Sequence, residues 1–165
     1  MDVFIQEMMD GLPDGAQMAR VVIRLLAAAL FGAIVGIQRE RAGKPAGVRT
    51  HMLVALGAAL FVISGQEAGM DSADMSRVVQ GLATGIGFIG GGAILKLTAE
   101  REVEGLTTAA GIWMTAAVGV AAGLGRWGTA GLGVVLTWII LSIIGEITYR
   151  LEMRKQAAKK RQPSR

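Results

Sequence analysis

The charges of this chain are confined to a few segments, and that confinement decides its class. All 17 Lys and Arg residues and all 13 Asp and Glu residues fall outside five stretches, residues 25–38, 50–66, 78–95, 105–125 and 127–145. These hold 14, 17, 18, 21 and 19 residues. A helix needs about 17–25 mostly apolar residues to cross about 30 Å of hydrocarbon. Four stretches qualify as they stand. The first reaches a spanning length if its helix starts near Met18 and takes in Arg20 and Arg24, whose long stems carry their charges to the interface. Five near-continuous apolar helices cannot all be core in a soluble globule of 165 residues. The expected fold is therefore all-α, a polytopic membrane protein with a bundle of five transmembrane helices. The transmembrane domain covers residues 18–149, with spans near 18–38, 50–66, 77–96, 105–125 and 127–149.

The flanks set the orientation. Residues 1–17 carry Asp2, Glu7, Asp10 and Asp14 without Lys or Arg, the reverse of a signal-peptide start, and read as a retained acidic external arm. Thirteen Lys and Arg lie in the first and third connections and the tail, against three (Arg20, Arg77 and Arg126) on the other side. Under the positive-inside rule the N-terminus is outside and the C-terminus cytoplasmic. The connections around residues 42–48 and 67–75 read as plain surface turns. Residues 150–165 form a polybasic cytoplasmic tail, which should lie on anionic lipid headgroups at about 1 kcal/mol per basic residue. So close to a bilayer, nucleic acid is a poor partner. Glu146 and Arg150, four apart, should pair.

Several kinds of chemistry lack the residues they need. There is no cysteine, hence no disulfide and no thiolate metal site, and His51 is the one histidine. The uncharged stretches contain no carboxylate, whereas hard divalent cations prefer charged oxygen cages and proton relays need titratable groups. Glu40 and Glu146 stand only at span ends. No catalytic residue and no cofactor is expected, and no metal ligand set is assigned. Residues 85–90 spell G-x-G-x-x-G, but the strand, helix and later acidic residue that a dinucleotide site requires are missing. The adjacent Gly90, Gly91 and Gly92 instead mark a place where the third helix could break or re-enter.

The 24 glycines are patterned. Gly32 and Gly36, Gly81 and Gly85, and Gly119 and Gly123 form G-x-x-x-G pairs, the spacing that lets helix backbones approach closely in lipid. Gly32, Gly36, Gly85 and Gly119 are the expected packing positions. On the third helix Gln80, Thr84, Gly87 and Gly91 share a stripe. On the fourth, Thr108, Thr115, Gly119 and Ala122 do the same, with Thr107 beside them. The two seams are expected to face each other. Their polar groups would either line a path for substrate or water, or bond across helices and back to the preceding turn.

At the end of the first hairpin stand Arg39, Glu40, Arg41, Lys44, Arg49, Thr50 and His51. Arg39 lies seven residues after Gly32 and so on the packed face of its helix. Two readings are open: an Arg–Glu network that orients the hairpin, or a binding site, carried by Arg39, Glu40, Arg49, Thr50 and His51, for lipid phosphate or another anionic partner.

Four ordered segments carry a resemblance: residues 32–36 followed by Gln38-Arg39-Glu40, then residues 46–51, 85–92 and 105–113. In order and spacing they resemble the signature segments of the MgtC/SapB family of bacterial inner-membrane proteins, over about residues 24–149. Val48 and Ile89 stand where the family commonly has Leu, and Gly91 where it has Ala. Many members continue into a soluble cytoplasmic domain, so the resemblance implies a short form lacking it. It also implies a multi-pass inner-membrane protein linked to magnesium limitation or acid stress, in a family labelled as magnesium transporters. The packed small-residue faces favour a non-enzymatic regulator that packs against other inner-membrane proteins. The polar seam and the family label favour a carrier or channel for magnesium or another small ion.

Overall fold

The computed structural model describes residues 14–97 and 102–145. It contains five helices: α1 Gly15–Arg41, α2 Val48–Glu67, α3 Ser72–Gly92, α4 Leu106–Gly123 and α5 Trp127–Ile139. The last continues into a π-helical turn, Ile140–Ile144. Between α3 and α4 lies a small antiparallel ribbon, β1 Leu95–Leu97 with β2 Glu102–Glu104, in which Leu95 faces Glu104 and Leu97 faces Glu102. The helical architecture is the one expected. The ribbon is an addition, since three-residue strands are too short for an alternating pattern to show. The acidic arm as far as residue 13, residues 146–149 of the fifth span, the Glu146–Arg150 pair and the basic tail lie outside the described residues.

Helix starts follow local chemistry. Asp14 caps α1 by accepting from the Gln17 N–H at 2.6 Å, so α1 begins three residues earlier than expected and includes Arg20 and Arg24. Asp71 caps α3, accepting from the N–H groups of Ala73 and Asp74 at 2.8 Å each. The three adjacent glycines do not break α3 internally. The helix runs through Gly90 and Gly91 and ends at Gly92, where the Ala93 N–H donates to Gly90 and the Ile94 N–H to Gly91. These tighter i→i+3 bonds close the last turn.

By length and composition α1, α2, α4 and the run Trp127–Ile144 can cross a membrane. α3 has 21 residues, but Ser72, Asp74, Ser76, Arg77 and Gln80 make its first half polar. Around the bundle Leu26, Leu30, Leu53, Phe61, Leu132 and Ile140 are exposed, and Phe88 is 87% exposed. Such a surface suits hydrocarbon, not water.

Small residues hold the interior together. α4 touches every other helix and buries Thr108, Gly111, Ile112, Thr115, Gly119 and Ala122. The main core cluster joins Ala28, Val35, Ala55, Ala59, Val118, Ala122, Ala130 and Val134. Two of the three glycine pairs make the close approaches. A Cβ on Gly36 would lie 2.6 Å from the Val48 Cα, and one on Gly32 would strike the backbone of His51 and Met52. Across α2, Gly119 lies against Ala55 and Gly123 against Ala59. α2 is thus clasped between glycine faces of α1 and α4. The third pair, Gly81 and Gly85, meets nothing within 4 Å, so Gly85 is not a packing position within the chain.

Candidate functional site

Among the described residues three of the five buried polar side chains, Arg39, His51 and Thr108, stand where the end of α1, the start of α2 and the start of α4 converge. The α1–α2 turn is tight because the Lys44 N–H donates to the Arg39 carbonyl at 3.0 Å and Gly43 takes a φ of +66°. It returns the chain so that α2 starts beside the last turn of α1. Gly47, the N-cap of α2, has no side chain to satisfy the first-turn donors. Glu40 supplies the missing acceptor from the neighbouring helix: its Oε2 takes the Val48 N–H at 3.0 Å. Glu40 therefore orients the hairpin by capping. The Arg–Glu network is not formed, because among the described residues the ion pair present is Arg77–Asp74, at 3.4 Å on the surface.

Arg39 points inward as its register requires and is 3% exposed. Its Nη2 donates to the Thr108 hydroxyl at 3.0 Å and approaches that of Thr107 at 3.4 Å, so α1 is bonded to the first turn of α4. Its Nε is buried without a partner. His51 is fully buried one turn into α2. Its Nδ1 lies 2.9 Å from the Gly47 carbonyl, which fixes Nδ1 as the donor, while Nε2, close to Gly111, has no partner. Deeper along α4, Thr115 donates back to the Gly111 carbonyl at 2.8 Å.

The structure divides the predicted residues. Arg39, His51 and Thr108 are brought together, Thr115 is buried two turns further along α4, Glu40 stands at the edge of the group, and Thr50 is half-buried. Arg49 is exposed and lies outside the cluster's hydrogen bonds. The α3 seam does not face α4. Gln80, Thr84, Gly87 and Gly91 are exposed, and a Cβ on Gly87 or Gly91 would meet nothing within 4 Å. Thr84 donates to the Gln80 carbonyl at 2.9 Å and Gln80 reaches Ser76 at 3.3 Å, bonds made within α3 itself. Helical periodicity puts these four residues on one face of α3, but it does not say which neighbour that face meets. α3 instead touches α4 through Gly90, which lies against Ala109.

Two further contacts carry no signature in sequence spacing. Arg24 does more than snorkel: its Nη1 donates to the Gln66 side chain at 2.6 Å and to the Gly123 carbonyl at 2.9 Å, capping the end of α4. The signal was its position within an otherwise uncharged helix. Gln38 donates to the Leu141 carbonyl at 3.1 Å, within the π-helical turn.

All of these residues but Arg24 lie within residues 25–150, over which the sequence matches a family model. The chain belongs to the MgtC family. It is 45% identical over 142 residues to SrpB of Synechococcus elongatus, covering 79% of this chain and 78% of SrpB. It is 39% identical over 140 residues to YhiD of Escherichia coli K12, provisionally named a magnesium transporter, covering 81% of this chain and 64% of YhiD. With MgtC of Salmonella typhimurium strain LT2 the identity is 41% over 109 residues, 66% of this chain and 46% of MgtC. The chain thus spans less than two thirds of YhiD and under half of MgtC. No solved structure matches. Family and apolar helices together make this a multi-pass membrane protein.

Proposed function

We propose that this MgtC-family chain is a non-enzymatic regulator of the bacterial inner membrane, tied to magnesium limitation or acid stress, which acts by packing against other membrane proteins. The observation that carries this reading is Arg39. A fixed guanidinium stands at the junction of α1, α2 and α4, where it repels a dehydrating divalent cation. Among the described residues no three His, Cys, Asp or Glu side chains group so as to hold a metal ion. The partner surface on this reading is α3, whose glycines 81, 85, 87 and 91 face outward with open space before them. Gly81 and Gly85, with Phe61 of α2 and Val78, Leu82, Ile86 and Ile89 of α3, line a mostly apolar groove of about 460 Å³ to which Arg77 also contributes. Backbones that can be approached closely are how helices associate in lipid.

The printed name of YhiD supports the other reading, a transporter of magnesium. Purified protein in liposomes loaded with a magnesium-sensitive dye separates the two. The regulator leaves magnesium entry at the rate of empty vesicles. Entry that scales with protein content would overturn it. The orientation belongs to the same proposal: a reporter fused after Arg165 should be cytoplasmic and one within residues 67–75 external. Both reporters on one side would refute the five-span arrangement.

A further inference from the structure

At the start of α4 the molecule has a cavity of about 190 Å³, bounded by the α1–α2 turn, which contributes Lys44, and by Glu104, Gly105, Thr107 and Thr108. Its volume lies below the roughly 300 Å³ at which pockets for drug-sized ligands begin. Among the described residues no side chain caps its donors. Gly105, at φ +92°, caps α4 without a side chain, and the first intrahelical bond runs from Ala109 to Gly105 at 2.8 Å. The N–H groups of Leu106, Thr107 and Thr108 therefore have no acceptor within the helix, and they lie at its positive end.

The hydroxyls add to this. Thr84, Thr115 and Thr137 each donate to the carbonyl four residues back. Thr108 makes no such bond to Glu104 and instead accepts from Arg39. A hydroxyl that accepts from a cation keeps its single proton for another acceptor; Thr107 also accepts from Arg39, at 3.4 Å, and is the exposed threonine of the cavity wall, with Thr108 fully buried behind it.

Arg39 is the independent observation. It is 3% exposed, its Nε has no partner, and among the described residues no carboxylate lies within ion-pair distance of it. A buried charge without a counter-ion is strongly unfavourable. Its Nη2 bonds to the two threonines of the cavity wall and so stands directly behind that wall, where an anion in the cavity would bring the missing negative charge close to it. The one carboxylate in the lining, Glu104, is exposed, and its repulsion is screened by water where that of a buried group is not.

We propose that this cavity is a binding site for a phosphate oxyanion. The anion accepts from the exposed amides of the first α4 turn and from the Thr107 hydroxyl, Lys44 closes the rim, and Arg39 supplies positive charge from behind the wall that Thr107 and Thr108 form. The site does not depend on the regulator reading, since a transporter could carry it equally. Its phosphate can come from solution or from a lipid headgroup.

The full chain is placed in phosphatidylcholine nanodiscs and titrated with inorganic phosphate against chloride at equal ionic strength, with thermal unfolding as the readout. A parallel sample uses nanodiscs containing phosphatidylglycerol. Stabilisation by inorganic phosphate marks a soluble source, and stabilisation by phosphatidylglycerol alone marks a headgroup. Either supports the site, and neither effect in the parent chain overturns it. Lys44→Gln and Thr107→Val, at exposed positions, should each weaken the effect about tenfold, the worth of one charge-assisted hydrogen bond. Glu104→Gln should strengthen it, an outcome that misfolding cannot mimic. An effect unchanged in all three variants would place the anion elsewhere and refute the proposal.

Discussion

Arg39 of α1 donates through Nη2 to the Thr108 hydroxyl at 3.0 Å, and both side chains are buried. The bond ties the last turn of α1 to the first turn of α4, but it is neutral on the acceptor side and leaves the guanidinium charge uncompensated. Removing the acceptor and removing the charge should therefore have opposite signs. Thr108→Val strips a partner from a buried cation and should lower stability by about 1–3 kcal/mol. Arg39→Met keeps the aliphatic stem and removes the desolvated charge, so it should unfold at or above the parent's midpoint. The two are compared by thermal unfolding in one detergent without added anion. If Arg39→Met were the less stable, the guanidinium's bonds would outweigh its desolvation.

Glu40 accepts the Val48 N–H at 3.0 Å and caps α2 across the turn. A cap needs an acceptor oxygen, not a charge. Glu40→Gln retains one and should shift the unfolding midpoint little, while Glu40→Ala should cost about 1 kcal/mol, as lost helix caps do. An equal loss in both variants would mean that the negative charge, not the oxygen, holds the hairpin.

What the sequence disclosed, and where it stopped, has a physical cause at each residue. The uncharged stretches located the helices because hydrocarbon excludes charge, and the seven-residue step from Gly32 to Arg39 placed Arg39 on the packed face because helical register is local. Capping by Glu40 was invisible, since it depends on a turn that brings two helix ends together. The α3 stripe of Gln80, Thr84, Gly87 and Gly91 shows the limit most clearly. Periodicity grouped these residues on one face, yet the small residues that α4 turns inward meet Ala55 and Ala59 of α2, leaving the α3 stripe outside.

Arg24 joins three helices at the opposite end of the bundle by donating to Gln66 and to the Gly123 carbonyl. It satisfies an orphan carbonyl at a helix C-terminus, where a cation is also favoured by the helix dipole. Arg24→Met should keep the stem's packing but lose both bonds, lowering stability by about 1–3 kcal/mol. Arg20→Met, one turn earlier at an exposed position, should leave the unfolding midpoint within about 0.5 kcal/mol of the parent. Equal effects of the two changes would show that Arg24 acts as an interface charge rather than as a cap.

The glycines allow a comparison within one residue type. A methyl group on Gly119 would press on the Ala55 backbone, and one on Gly32 on the backbone of His51 and Met52. Backbone cannot turn aside as a side chain can, so Gly119→Ala and Gly32→Ala should each force α2 outward and cost about 1–3 kcal/mol. Gly81, Gly85 and Gly91 have open space at the same point. Substitution there by Ala should be neutral or stabilising by up to about 1 kcal/mol, because alanine is the better helix former. Gly91→Leu, which would wedge α3 from α4 if their seams met, should be as stable as the parent in detergent. Stability isolates packing within the chain, while activity in cells reads any partner on the α3 face. Gly85→Leu should therefore melt like the parent yet lose function if a membrane partner docks there. Should Gly85→Leu keep both, the outward face of α3 is not the docking surface, and the regulator must engage its partner through another side of the bundle.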